Sequence, residues 1–324
     1  MTYIPFVVAL VVSTGVITFI LQSRFSQSIQ DVPNERSLHN KIVPRTGGMG
    51  LMSGVLVGWA LISEALVWWL IVPLLGMFVV SILDDVYNLS VKKRLFAHLM
   101  AAAIFVIGSG VVGQQGAVIA ILMFFFVVWM TNLYNFMDGS DGLAGGMAVF
   151  GFGSYGLCAW FAQDAVLMSL CVVVAAAALG FLLFNFHPAK IFMGDAGSIP
   201  LGFLAAALGI WGWQRGDWPY WLPLLVFSPF IVDATVTLAK RSWRGVKITE
   251  AHREHYYQRA IQMGVSHRRV ALFEYGFMLL VGTLAIWTRT QIFPWTVLLG
   301  CSVAYAIIML QIDSRWAKLK RESA

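Results

Sequence analysis

Apolar runs of about twenty residues recur from one end of this chain to the other, and no other feature restricts its fold so tightly. About twenty helical residues cross the hydrocarbon core of a bilayer. In lipid, every backbone N–H and C=O must be paired within its own segment. The sequence therefore predicts an all-α polytopic membrane protein, with one integral-membrane domain over 1–324. Charge agrees: 12% of residues are charged, about half the share of a soluble domain. Cys158, Cys171 and Cys301 all fall inside apolar runs. They read as small hydrophobes, with neither a disulfide framework nor metal-ligand spacing.

Eleven spans are expected, near 2–22, 47–63, 66–83, 95–112, 117–136, 146–162, 165–185, 199–214, 218–238, 269–288 and 291–311. No Lys or Arg precedes the first span and Arg24 follows it, the reverse of a cleavable signal peptide. An outside (periplasmic) N-terminus and a cytoplasmic C-terminus follow by the positive-inside rule. The inner loops are then 23–46, 84–94, 137–145, 186–198 and 239–268. With the C-terminal tail and Arg269 at the inner end of the next span they carry 20 of the 22 Lys and Arg, leaving only Arg215 and Arg289 outside. The basic pI near 9.3 is thus membrane-topology charge, suited to an anionic leaflet and anionic substrates and not to nucleic acid. The outer loops are too short for chemistry.

Polar groups at span ends are costly and mark function. Residues 132–146 read NLYNFMDGSDGLAGG. Asn132, Asn135, Asp138 and Asp141 follow at i, i+3 spacing, which would place four oxygen-bearing side chains on one face. Such oxygens are the hard ligands that Mg²⁺ prefers. Asp84 and Asp85 close the third span, with Lys92, Lys93 and Arg94 behind them. Adjacent aspartates repel, and a cation would relieve them. Asp195 opens a later span in FMGDAGS, as a ligand or as a helix cap. Phe192 precedes it as a stacking platform or a packing residue. The first inner loop carries Arg36, His39, Lys41 and Arg45 ahead of Gly47, Gly48 and Gly50, where helix-opening amides can meet an anion. His98 reads as a hydrogen-bonded interior residue. In the last inner loop, Thr249 would cap a short helix ending at Gly264. His252, His255, Tyr256 and Arg259 would share one face of it. Asp233 lies close to the same surface.

Taken together, DxPNxRSxH at 31–39, the Asp84–Asp85 pair with LSVK, NxxNxMDGxDGLAGG and FMGDAGS resemble the polyprenyl-phosphate N-acetylhexosamine-1-phosphate transferases over essentially the whole chain. HREHYYQR at 252–259 looks like the O-antigen-initiating branch and departs from the multi-histidine loop of the muramoyl-pentapeptide enzymes. The resemblance implies transfer of a sugar-1-phosphate from a UDP-N-acetylhexosamine to undecaprenyl phosphate, releasing UMP. The setting is the bacterial inner membrane, with the active site on its cytoplasmic face. It implies Mg²⁺, with Mn²⁺ as an alternative, on Asp195 and Asn135. Asp84, Asp85, Lys92 and Asp138 take the catalytic positions, with Lys92 on a phosphate. Asp84 acts either as the group that deprotonates or orients the lipid phosphate or as a covalent nucleophile. Arg45, Asn132, Asp141, Phe192, His252, Arg253 and His255 fall on substrate-binding positions, Phe192 and Asp141 toward uracil. The family's dimers make a homodimer an expectation, and membrane lipids are the remaining partners. The sugar, whether GlcNAc, FucNAc or QuiNAc, is read by the variable loop at 239–268.

Two other readings compete. A lipid-linked sugar transporter or flippase would place polar residues at mid-membrane with repeated halves. Here the acids gather at one face and no repeat is found. A CDP-alcohol phosphotransferase needs Ala-Arg soon after its first Asp-Gly. Leu143–Ala144–Gly145–Gly146 does not supply it.

Overall fold

The computed structural model describes residues 3–27, 29–33, 38, 42–247, 250 and 252–322. Arg36, His39, Lys41 and Thr249, singled out above, lie outside the described residues. Among the described residues the chain is all-α apart from one small hairpin. Its elements run α1 (Ile4–Gln22), β1 (Gln30–Asp31), β2 (Val43–Pro44), α2 (Gly47–Ala60), α3 (Trp68–Tyr87), α4 (Val91–Gly108), α5 (Val111–Gln115), α6 (Ala117–Phe136) and α7 (Leu143–Phe161). They continue with α8 (Ala165–Asn185), α9 (Asp195–Arg215), α10 (Leu222–Val226), α11 (Ser228–Trp243), α12 (Tyr256–Gln262), α13 (His267–Thr288) and α14 (Trp295–Glu322). The two strands pair antiparallel, Gln30 with Pro44 and Asp31 with Val43.

Among the described residues, eight helices are long and apolar enough to cross a membrane: α1, α3, α6, α7, α8, α9, α13 and α14. The other expected spans take different forms. Helix α2 has 14 residues, and α4 opens with Lys92, Lys93 and Arg94. The run over 218–238 is broken into α10 and α11 at Phe227. Pro229 near the start of α11 has no N–H to continue the preceding ladder.

Helix α9 is the axis of the bundle, buried along nearly its whole length. Its Gly202 lies against the backbone of Met130 and Thr131 in α6, and its Gly209 against Tyr155 and Pro223. Small residues let helices approach closely where lipid offers no hydrophobic drive. Side chains also pair across helices. Tyr155 Oη donates to Ala205 O at 3.0 Å and Trp59 Nε1 to Leu170 O at 3.1 Å. The N-terminal end of α9 is thereby fixed relative to α3 and α6, and the informative residues gather there. At the opposite extreme, only Val297 and Cys301 of α14 are buried.

Candidate active site

Two distant segments join through their backbones to build the site. Phe192 N donates to Pro44 O at 2.7 Å, Gly47 N to Phe192 O at 2.9 Å and Gly48 N to Met193 O at 2.7 Å. A side chain at Gly48 would collide with the backbone of Gly197. Gly194 has φ +72°, a left-handed conformation that glycine adopts without strain. This seam delivers Asp195 at the first turn of α9.

Asp195 does not cap its own helix. Asp85, from α3, accepts from Asp195 N at 3.3 Å and Ala196 N at 3.0 Å, meeting N–H groups that a helix start leaves open. The Asp195 carboxylate is thereby free to meet Arg94 at 3.3 Å, and Arg94 also holds Asp84 at 2.9 Å. Leu89 N donates to Asp84 at 2.6 Å. Arg45 donates to Asp85 O at 3.0 Å and lies 3.7 Å from its carboxylate. Lys92 is exposed, so at this cluster it is Arg94 that bridges the carboxylates. The sequence reading passed over Arg94. On a helix, residues two apart point in different directions, and only the register of α4 against α3 and α9 reveals which basic residue faces inward.

Helix α6 ends at Phe136, so the four groups from Asn132 to Asp141 do not share one helical face. Asn132 donates to Val128 O at 2.7 Å and lies beside His98, which is interior as expected but whose buried Nδ1 finds no hydrogen-bond partner among the described residues. Asn135 stands half-buried on the last turn, its carbonyl accepting from Asp138 N at 3.1 Å. Asp138 accepts from Gly194 N, with Asp195, Asp85 and Asp31 nearby. Burial, then those neighbouring carboxylates, holds Asp138 well above the usual carboxylate range. Asp31, on β1, is an acid of this cluster that sequence reasoning missed.

Asp141 faces the other way. Its Oδ2 accepts from His187 Nδ1 at 2.6 Å and Ala189 N at 3.2 Å, and His267 Nδ1 lies 4.0 Å from Oδ1. The imidazoles of His187 and His267 lie parallel, centroids 5.8 Å apart. His267 Nε2 donates to the Leu38 carbonyl at 3.0 Å, and its Nδ1 shares a hydrogen bond with Ser140 Oγ at 2.9 Å. Four chain segments meet here, and Phe192 is half-buried.

The short helix α12 begins later than expected, at Tyr256. His255 and Gln258 form a capping box, and Asp233 accepts from Tyr256 N at 2.9 Å and Tyr257 N at 3.1 Å. These caps start the helix after His252, so His252 and His255 do not share a helical face. Their rings still meet at 5.0 Å. Burial, then His255 and Arg241, pulls the His252 imidazole down to about 4, so it is neutral near pH 7. Arg253 is exposed. His255 is buried 3.3 Å from Asp233, and Arg259 is committed to Asp313 at 2.8 Å. Buried Arg241 pairs with Glu254. The helix leans on the Asp138 loop through Tyr257 Oη, which donates to Phe136 O at 3.1 Å.

Among the described residues, no three His, Cys, Asp or Glu side chains form a ready-made metal cage. The donor set nonetheless fits a particular kind of ion. Among the described residues, Asp84, Asp85, Asp138 and Asp195 gather with Asp31 nearby, and the guanidinium groups of Arg45 and Arg94 reach Asp84, Asp85 and Asp195. Such an all-oxygen set suits Mg²⁺ that arrives with a phosphate, keeps waters and takes only one or two protein carboxylates.

The family described as glycosyl transferase family 4 matches residues 67–213. A probable undecaprenyl-phosphate N-acetylglucosaminyl 1-phosphate transferase of Bacillus subtilis is 32% identical over 279 residues, 80% of this chain and 78% of its own length. A phospho-N-acetylmuramoyl-pentapeptide-transferase of Oceanobacillus iheyensis is 30% identical over 64% of this chain and 73% of its own. Another, from Halalkalibacterium halodurans, is 27% identical over 89% of this chain and 96% of its own.

Proposed function

The chain belongs to the polyprenyl-phosphate N-acetylhexosamine-1-phosphate transferases of glycosyl transferase family 4, and from that premise we propose how its aspartate cluster does the work. The reaction moves an N-acetylhexosamine-1-phosphate from a UDP-sugar to undecaprenyl phosphate. A phosphate oxygen of the lipid bonds to the sugar-bearing phosphorus. The bond from that phosphorus to the bridging oxygen breaks, and UMP departs with the oxygen. The observation that carries this reading is the gathering of Asp84, Asp85, Asp138 and Asp195, with Arg94 bridging two of them, where α3, α9 and the loop after α6 meet. A folded protein has no reason to hold so many acids together unless a ligand supplies positive charge.

Asp195 and Asn135 would hold Mg²⁺, or Mn²⁺ in its place. Held there, the ion would supply positive charge against the two phosphate groups and the UMP leaving group. Arg94, already on Asp84 and Asp195, stands where it can exchange a carboxylate for a phosphate, with Lys92 entering from the exposed side. Asp84 receives or orients the proton of the lipid phosphate. Asp138 sits between Asp195 and the loop that carries Asp141. Phe192 stacks on uracil, and Asp141, braced by His187, accepts from its N–H. His252, Arg253 and His255 read the sugar above α12. The chain sits in the bacterial inner membrane with eleven passes, its N-terminus periplasmic and its C-terminus cytoplasmic. The site faces the cytoplasm, and the protein works as a homodimer. Asymmetric Lys and Arg placement supports that orientation. HREHYYQR supports a small UDP-N-acetylhexosamine donor and a step that initiates O-antigen or a related envelope polysaccharide.

UMP release by the purified protein tests this, with undecaprenyl phosphate, a panel of UDP-N-acetylhexosamines, and Mg²⁺ or EDTA. Lipid-dependent, EDTA-sensitive release from one donor is expected. Folded protein that binds lipid phosphate but releases UMP from no donor overturns the reading.

A further inference from the structure

Away from this site, two cavities follow one side of the bundle. One, about 440 Å³, lies among α11, α12, α13 and α14, with Asp233, Tyr256, Arg269, Glu274 and Arg315 in its wall. The other, about 360 Å³, lies between α13 and α14, against Leu280, Leu284 and Val297. Phe277 lines both, so they form one cleft along α13.

The cleft is charged at one end and apolar along the rest. Arg269, in the first turn of α13, and Arg315, near the end of α14, are exposed at the charged end. Neither makes an ion pair with a described residue. Of the three nearby acids among the described residues, Glu274 lies in the wall itself, and the other two are engaged elsewhere. Asp313 holds Lys240 at 2.5 Å and Arg259 at 2.8 Å, and Asp233 caps α12. This is also the end of the aspartate cluster, because His267 meets Ser140. From Arg269 to Leu284 is ~22 Å of helix, about half of a 40–45 Å bilayer counted with its headgroups. That is the length of one lipid in one leaflet.

We propose that this cleft binds a single anionic phospholipid. Its phosphate lies between Arg269 and Arg315, its glycerol esters at the level of Glu274, and an acyl chain over Phe277, Leu280 and Leu284. Two guanidinium groups are the natural partners of a phosphate. A polyprenyl chain is far longer than one leaflet, and α12 stands between the arginines and the aspartates, so this is not where the acceptor reacts. The occupant bears on α12 through Tyr256 and Tyr257. Tyr257 reaches Phe136 O beside Gly139, so a filled cleft presses α12 against the loop that carries Asp138.

The test is nondenaturing mass spectrometry of the purified protein titrated with phosphatidylglycerol or with phosphatidylcholine of the same chains. The wild type should retain one phosphatidylglycerol at least ~10-fold more tightly than phosphatidylcholine, the scale of one strong charge-assisted contact. The double substitution Arg269→Gln and Arg315→Gln, both exposed, should erase that preference. Phe277→Trp, which fills the junction of the two cavities, should weaken both lipids. Size exclusion and UMP release report whether the variants remain folded. Equal affinity for the two lipids in the wild type, or an unchanged preference in the double variant, overturns the proposal. So does competitive displacement of phosphatidylglycerol by undecaprenyl phosphate.

Discussion

Two helices begin at the same end of this molecule, and each is capped by an aspartate from another helix. Asp85 of α3 caps α9, and Asp233 of α11 caps α12. The surroundings differ. Near Asp233, Glu254 and Asp313 are each paired with basic side chains, Lys240, Arg241, Arg244 and Arg259. Near Asp85, among the described residues, Asp84, Asp138 and Asp195 crowd together beside Arg45 and Arg94. The same capping device therefore serves a scaffold in one place and a crowded carboxylate site in the other. Crowded carboxylates are where a positively charged ligand belongs.

Substitutions can break or sharpen that contrast. Asp195→Asn should lower turnover by at least ~10³-fold, in keeping with the loss of a group that stabilises developing charge. The folded yield should be unchanged by size exclusion, and full activity would overturn the assignment of this carboxylate to the metal. Arg94→Ala should cost more activity than Lys92→Ala, since Arg94 alone bridges Asp84 and Asp195. The reverse order of kcat/KM would return the phosphate to Lys92. Phe192→Ala should raise KM for the UDP-sugar about 5- to 150-fold, the worth of ~1–3 kcal/mol of base stacking, with kcat nearly unchanged. Asp233→Ala removes a cap worth ~0.5–2 kcal/mol. It should therefore lower the melting temperature and reduce activity by less than any of the aspartate-cluster changes. An effect on turnover equal to that of Asp195→Asn would erase the distinction between scaffold and site.

Much of this was legible in the sequence, for an identifiable reason. Asp84, Asp85, Asp138 and Asp195 are polar groups at the ends of apolar runs, and hydropathy alone shows that they meet at one surface. What stayed hidden depends on how helices turn against one another. Arg94 and Lys92 are indistinguishable in a basic run until α4 is set against α3. The role of Asp85 as a cap requires α9 to begin beside α3. Asp141 carries the motif's expected carboxylate, yet its tie to His187 joins residues 46 apart. The end of α6 at Phe136 could not be read from an i, i+3 pattern that continues past it.

The backbone seam between residues 44–48 and 192–194 carries a consequence for how the molecule can be divided. The family match covers residues 67–213 and includes Asp84, Asp85, Asp138, Asp141 and Asp195 but not Asp31. A fragment cut to that match would still lack Pro44, Gly47 and Gly48, whose backbone holds the strand of chain leading into Asp195. Recognisable chemistry and the minimal unit that can perform it are therefore different stretches of this polypeptide. Supplying residues 1–60 as a separate chain should rescue such a fragment only if the seam can re-form between them.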